Sequence, residues 1–117
     1  MHTRIKKIGG LNMTDKIYTL DEIKKMLTKV ASEYDVKKIY LFGSYARGEA
    51  TEKSDIDLYI PILPNNMGIR FYGMYEYIKE ITNKNVDIIT GSSQFSDSTE
   101  QQLLFDTINK DKVMIYG

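Results

Sequence analysis

The 117-residue sequence contains no cysteine and one histidine, His2. The lack of cysteine excludes disulfides, thiolate zinc sites and cysteine nucleophiles. One histidine close to the N-terminus excludes histidine-based catalytic triads and histidine-rich metal sites. Any chemistry must therefore rest on carboxylates, hydroxyls, backbone amides, lysine and arginine.

The sequence also lacks a long apolar run and a net charge. No apolar run approaches the roughly 20 residues that span a bilayer, and no apolar core of a secretory signal follows the basic N-terminus. We therefore expect a cytoplasmic protein without membrane contact. The formal net charge is zero, which argues against the extended basic surface that a long nucleic-acid tract would need.

The length fits a single domain. We expect residues 1–18 to form a flexible N-terminal arm and residues 19–117 to form that domain. Thr19 and Glu22 make a capping-box pattern that opens the first helix. Hydrophobic periodicity then predicts strand 36–42, helix 44–50, strand 55–62, helix 68–83, strand 86–90, helix 98–109 and strand 113–116. In helix 98–109 we expect Leu104, Ile108 and neighbouring residues to form the buried stripe.

A glycine–serine pair, Gly43-Ser44, stands where the first predicted strand turns into the short helix. Glycine lets a ligand approach the backbone closely. Free amides at the helix start, together with the Ser44 hydroxyl, form a cup of donors that suits a phosphate. An ordinary turn is the alternative interpretation.

Three aspartates are the candidate ligands of a cation. Asp55 and Asp57 are two residues apart on a predicted strand, so they project from the same face. Adjacent carboxylates favour proton uptake unless a cation neutralises them, and magnesium prefers oxygen ligands. Asp87 lies within an apolar strand, and it completes the cluster if that strand neighbours the first. The alternatives are solvated aspartates at a strand edge, or Asp87 paired with a lysine.

Ten residues separate Ser44 from Asp55, which gives the pattern Gly-Ser-x10-Asp-x-Asp. The segments LFGSYARGE, residues 41–49, and SDIDL, residues 54–58, resemble the signature of the minimal nucleotidyltransferases of the DNA polymerase beta superfamily. The segment VDIIT, residues 86–90, is similar to the strand that carries the third carboxylate of this family. Residues 111–117 resemble its last strand.

The resemblance implies an α/β (α+β) fold in which helices flank a mixed β-sheet. It further implies that Asp55 and Asp57 bind two magnesium ions. Asp87 would ligate the catalytic metal and help to deprotonate the acceptor hydroxyl.

The resemblance also implies that Gly43 and Ser44 hold the triphosphate tail of a nucleotide. Arg47 lies one turn after Ser44 and is a candidate phosphate ligand, with a solvated helix arginine as the alternative. Tyr59 departs from the aliphatic residue that relatives more often carry. It either lines the floor of the site or packs in the core, and we predict packing.

The function that the resemblance implies is transfer of a nucleoside monophosphate, AMP from ATP, to a hydroxyl of a partner protein. Family members of this size pair with helical HEPN proteins, and the transferase then acts as an antitoxin by adding AMP to a toxin tyrosine. Two alternatives stay open. The chain neutralises its partner by binding alone, or it transfers the nucleotide to RNA or to a small molecule.

Overall fold

A computed structural model describes residues 5–8, 11–91 and 99–117. Its helices are α1 (Leu20–Tyr34), α2 (Gly43–Arg47), α3 (Arg70–Thr82) and α4 (Thr99–Asp111). Its strands are β1 (Ile5–Ile8), β2 (Leu11–Thr14), β3 (Ile39–Phe42), β4 (Ile56–Ile60), β5 (Val86–Thr90) and β6 (Val113–Tyr116). The order of elements from α1 to β6 is the predicted one.

Strands β3 to β6 form a mixed sheet in the order β5-β4-β3-β6. β4 pairs with β5 in parallel, whereas β3 pairs antiparallel with β4 and with β6. The predicted mixed sheet flanked by helices is therefore confirmed. The parallel pair matters most for the site, because parallel neighbours bring the starts of two strands together at one edge.

The main core lies on the face of the sheet that α1 and α3 cover. Alternation along β4 sends Ile56, Leu58 and Ile60 into this core, where each is fully buried. α1 begins as predicted, since Thr19 and Glu22 exchange the two hydrogen bonds of a capping box at 2.9 and 3.1 Å. This face of the domain is a conventional apolar layer.

A smaller cluster covers the opposite face, where α4 packs on the sheet. Phe105 and Ile108 of α4 are buried there against Phe42 and Tyr59. The predicted stripe of α4 is confirmed for Ile108 and for the neighbouring Phe105, and it is wrong for Leu104, which is 37% exposed. Phe105 meets the ring of Tyr59 edge-on at 6.0 Å, and this contact sets the rotation of the helix.

The N-terminal segment contains two strands that the sequence analysis does not predict. β1 pairs antiparallel with β2 in a two-stranded sheet that is separate from the main sheet. Residues 1–4 and 9–10 of the expected arm, the expected loop 92–96 and the expected helix start at Ser98 lie outside the described residues. The division into an arm and a domain stays a prediction. Among the helices that the structure describes, none has the length and apolar character needed to cross a membrane.

Candidate active site

Two of the three candidate carboxylates lie side by side on the parallel strands. Asp57 of β4 and Asp87 of β5 are direct partners in the register. Phe42, the last residue of β3, is the partner of Asp57 on its other side. Since residues paired in a sheet project to the same face, a row of Phe42, Asp57 and Asp87 crosses the sheet on its α4 side. Just after Phe42 the chain turns into α2.

Asp55 joins these two carboxylates from the residue before β4. The neighbouring Ile56 N–H donates to the backbone oxygen of Asn85 at 3.0 Å, which starts the pairing of the two parallel strands. The Asn85 side chain hydrogen-bonds the Asp55 carboxylate. Asp55 is therefore held at the point where both strands begin.

The three carboxylates interact electrostatically. Burial, with the negative charges of Asp87 and Asp55, raises the pKa of Asp57 to about 6. Burial and the charge of Asp87 also raise the pKa of Asp55, whereas the hydrogen bond from Asn85 lowers it. A carboxylate whose charge is opposed by burial and by two neighbouring charges gains from a cation. A divalent cation beside the three carboxylates would relieve this repulsion.

The donor chemistry of the row fits magnesium, which prefers hard oxygen ligands. The carboxylates, however, do not converge on a single position. Across the part of the chain that the structure describes, no group of three or more Asp, Glu or His side chains is close enough to hold a metal ion. The register of Asp57 and Asp87 nevertheless leaves their side chains on one face of the sheet.

Gly43 brings the backbone of the strand-to-helix turn against Asp57. Its φ of +75° is in the left-handed region that favours glycine. A Cβ at this position would overlap the Asp57 carboxylate and would lie 3.1 Å from its Cγ. Glycine is thus required both for the turn and for the close approach. Ser44 follows as a partly buried residue of α2, and the apolar side chain of Phe42 leaves the start of this helix uncapped.

Arg47 has two carboxylate partners in the structure. Its Nε donates to Glu49 at 2.9 Å and its Nη1 donates to Asp111 at 2.8 Å. The second bond ties α2 to the end of α4. Arg47 also lies near enough to Asp57 for its positive charge to oppose the rise in the pKa of that carboxyl. The phosphate role predicted for Arg47 remains a prediction, and the structure adds a bridging role.

Tyr59 packs in the core, as predicted. It is 8% exposed and belongs to the cluster beneath α4. Its hydroxyl donates to the Gly91 carbonyl at 2.8 Å, which satisfies the polar end of the side chain. Tyr59 therefore supports the sheet next to the aspartates.

Sequence reasoning missed two residues that contact the loop before β4. One is Asn85, which hydrogen-bonds Asp55. The other is Lys84, which is fully buried and donates from Nζ to the Glu52 carbonyl at 2.7 Å. Nothing in the sequence marks Lys84, because lysine is almost always exposed. For Asn85 the available signal is its position directly before the strand that carries Asp87.

The raised pKa of Asp57 predicts how the pH affects stability. A carboxyl with a pKa of about 6 in the folded chain and 3.8 otherwise favours folding while protonated, and this contribution is lost as the pH rises through 6. Asp57→Asn should therefore stabilise the metal-free protein at pH 8 by about 1 kcal/mol, a figure reduced for solvent screening. Urea unfolding with EDTA at several pH values measures this gain, which should shrink between pH 6 and 3.8. A variant no more stable than the wild type at pH 8 contradicts the prediction.

The profile of the nucleotidyltransferase domain family matches residues 23–114. A candidate protein adenylyltransferase of Methanocaldococcus jannaschii is 41% identical over 85 residues, which cover 69% of this chain and 99% of that protein. The protein adenylyltransferase MntA of Thermococcus cleftensis is 34% identical over 79 residues, covering 64% of this chain and 80% of that protein.

Solved structures share the fold. A crystal structure of a toxin–antitoxin pair with AMP-PNP matches with a TM-score of 0.61 and 22% identity, covering 80% of this chain and 73% of that one. A complex of the tri-AMPylated HEPN toxin of Shewanella oneidensis with its MNT antitoxin matches with a TM-score of 0.57 and 19% identity, covering 85% and 73%. Together with the family match, which spans most of the domain, these findings confirm the resemblance seen in the sequence: the chain belongs to the nucleotidyltransferase domain family.

Proposed function

We propose that this nucleotidyltransferase moves AMP from ATP to a hydroxyl of a partner protein, as the antitoxin of a HEPN toxin pair. The observation that carries the proposal is the register of Asp57 with Asp87, directly beside the Gly43 turn. Relatives named protein adenylyltransferase support the AMP donor. The fold shared with toxin–antitoxin complexes supports the kind of partner.

In this proposal Asp55 and Asp57 would bind two Mg²⁺ ions and Asp87 would ligate the catalytic one. Bound Mg²⁺ lowers the pKa of an attacking hydroxyl and neutralises charge on the triphosphate. The chain contributes the backbone spacing of two of these ligands, since the β4–β5 register pairs Asp57 with Asp87. It also contributes partial burial, which strengthens the attraction between the carboxylates and a cation.

Gly43 and Ser44 hold the triphosphate in the proposed complex. Without a Cβ at Gly43, a phosphate is able to approach the backbone beside Asp57. The Ser44 hydroxyl and the uncapped amides of α2 supply the hydrogen-bond donors. Arg47 would contact a phosphate in this proposal, and its guanidinium is held by hydrogen bonds to Glu49 and Asp111.

In this proposal Asp87 receives the proton of the acceptor hydroxyl. It lies at the exposed side of the row, since Asp87 is exposed whereas Asp57 is partly buried. In the proposed step the acceptor oxygen attacks the α-phosphorus in line, its proton passes to Asp87, and pyrophosphate leaves. Positioning and charge neutralisation account for most of the catalysis in this reaction class.

The partner would dock on a surface of this domain, and exposed aromatic side chains are enriched in such interfaces. Tyr72 on α3 is 70% exposed and is available for contact. Tyr77 also lies off the apolar stripe of this helix in the sequence, but it is half-buried against Tyr34 at 6.4 Å between ring centroids. Tyr72 is therefore the better candidate of the two.

The test is transfer of radiolabel from α-³²P-ATP with Mg²⁺, with the protein encoded by the adjacent gene as acceptor. We expect label on a tyrosine of that protein, and no label with an Asp55→Asn/Asp57→Asn variant. Label on tRNA or on a small molecule would replace the proposed acceptor. If no label appears anywhere and the double variant still protects cells, the chain neutralises its partner by binding alone and the catalytic proposal fails.

A further inference from the structure

Among the described residues, Lys84 is the one charged side chain that is completely buried. Burial lowers the pKa of its ammonium group, although negative charges of Asp15 and Glu52 oppose that shift. Burying a lysine in this way is unfavourable unless its ammonium is hydrogen-bonded. The interaction that Lys84 makes therefore needs a structural or functional explanation.

The backbone that carries Lys84 is firmly anchored. α3 ends at Thr82, whose buried side chain bonds the Ile78 carbonyl at 2.8 Å and accepts from the Lys84 N–H at 3.3 Å. The Tyr18 hydroxyl donates to the Thr82 carbonyl at 2.7 Å. Lys84 thus projects from a short segment that is fixed on both sides, between α3 and β5.

The loop that Lys84 contacts is a small turn closed on itself. Thr51 N–H donates to the Ser54 hydroxyl at 2.8 Å, and Ser54 N–H donates to the Thr51 carbonyl at 3.1 Å. The Nζ of Lys84 donates a hydrogen bond to the Glu52 carbonyl of this turn at 2.7 Å. This bond joins the turn to the body of the domain.

Two consecutive residues, Lys84 and Asn85, make hydrogen bonds to the chain on either side of Asp55. Lys84 holds Glu52 on one side of it, and the Asn85 carbonyl accepts from Ile56 N–H on the other. Asn85 also hydrogen-bonds the Asp55 carboxylate itself. The segment before β5 therefore makes hydrogen bonds to the chain before Asp55, at Asp55 and after it.

We infer that Lys84 is a positioning residue, which holds the 51–54 turn so that Asp55 faces the cation site together with Asp57. The inference rests on the proposed function, because Asp55 matters here as a cation ligand. Residues that orient metal ligands typically change metal affinity by about 10- to 100-fold when they are mutated. Removal of the Lys84 ammonium should have an effect of this size.

The test compares wild type, Lys84→Met and Lys53→Met in the full chain. Lys53 is exposed in the same turn, so its variant controls for loss of a lysine charge near Asp55. Amide hydrogen exchange by NMR reports the order of residues 52–56, and isothermal titration with Mn²⁺ reports cation affinity. We expect Lys84→Met to lose exchange protection at Ser54 and Ile56 and to bind Mn²⁺ about tenfold more weakly or worse, while Lys53→Met matches the wild type.

Two further variants separate positioning from general stability. Lys84→Arg keeps a cationic donor and should restore much of the Mn²⁺ affinity. In an Asp55→Asn background, Lys84→Met should have little further effect on Mn²⁺ binding, since the ligand that it positions is gone. If Lys84→Met does not fold, Lys84→Gln takes its place, because its polar side chain is one atom shorter and does not reach Glu52.

The outcomes distinguish this inference from the function on which it rests. Unchanged exchange in the 52–56 segment, or unchanged Mn²⁺ affinity in folded Lys84→Met, overturns the role of Lys84 and leaves the cation site intact. A loss of affinity that is equally large in the Asp55→Asn background also overturns it. A wild-type chain that binds no Mn²⁺ overturns the cation site itself, and the positioning role with it.

Discussion

Asp57→Asn is expected to slow nucleotide transfer about a thousandfold. A cation that neutralises developing charge contributes several kcal/mol to the transition state, and about 1.4 kcal/mol corresponds to a factor of ten in rate. Asp57 is the carboxylate most affected by the others, since burial, Asp87 and Asp55 together raise its pKa to about 6. Asparagine keeps the shape of the side chain and removes its negative charge. Single-turnover transfer from labelled ATP measures the effect.

Asp35→Asn is the matched control for this prediction. Asp35 is an exposed residue at the end of α1 with a φ of 59°, a conformation that asparagine also adopts readily. The same change of charge there should leave transfer within about twofold of wild type, as expected of surface substitutions. Equal losses in the two variants, or an active Asp57→Asn protein, would show that Asp57 does not bind the catalytic cation.

Gly43→Ala is expected to have the second-largest effect, a loss of transfer of about a hundredfold or more. The new Cβ would overlap the Asp57 carboxylate, so either that side chain or the turn must shift. A displaced ligand lowers the rate steeply, because a misplacement of about 1 Å is enough to cost about 100-fold. The measurement is again single-turnover transfer, together with Mn²⁺ affinity.

Gly48→Ala controls for backbone strain in the same short helix. Gly48 ends α2 with a φ of +73°, nearly that of Gly43, but a Cβ there meets no atom of the described residues within 4 Å. Both alanines should destabilise the fold by about 1–2 kcal/mol through the left-handed conformation. The contact with Asp57 is the difference between them. If Gly48→Ala loses as much activity as Gly43→Ala, strain alone explains the loss.

Much of this fold follows from local patterns in the sequence. The capping box at Thr19 and Glu22 and the alternation of Ile56 with Asp57 are short-range features, and each is present in the structure. The boundaries of β6 also agree with the prediction, 113–116. Elements of this kind depend on neighbours a few residues away, which a sequence displays directly.

Other features depend on contacts between distant segments. The rotation of α4 is set by the packing of Phe105 on Tyr59, and no pattern within residues 99–111 selects Phe105 over Leu104. The burial of Lys84 depends on the Glu52 carbonyl, 32 positions away. Arg47 reaches Asp111 across 64 positions. Patterns within a single segment of the sequence do not predict contacts of this kind.

The candidate site depends both on local patterns in the sequence and on contacts between distant segments. Gly43, Asp55, Asp57 and Asp87 were selected from residue type and spacing, and the structure adds the parallel register that joins Asp57 to Asp87. The contribution of Asn85 was not foreseen, because its hydrogen bond to Asp55 arises from the same register. Which of these residues bind cation and nucleotide stays a prediction, as does a cytoplasmic location.

A crystal structure of the full chain with Mn²⁺ and a non-hydrolysable ATP analogue tests the central claim most directly, because manganese is located by its anomalous scattering. We predict manganese bound by carboxylate oxygens of Asp55 and Asp57 at about 2.0–2.2 Å, with the triphosphate along Gly43 and Ser44 and Asp87 on the same face. Manganese elsewhere, or a triphosphate on the face covered by α1 and α3, would contradict the account.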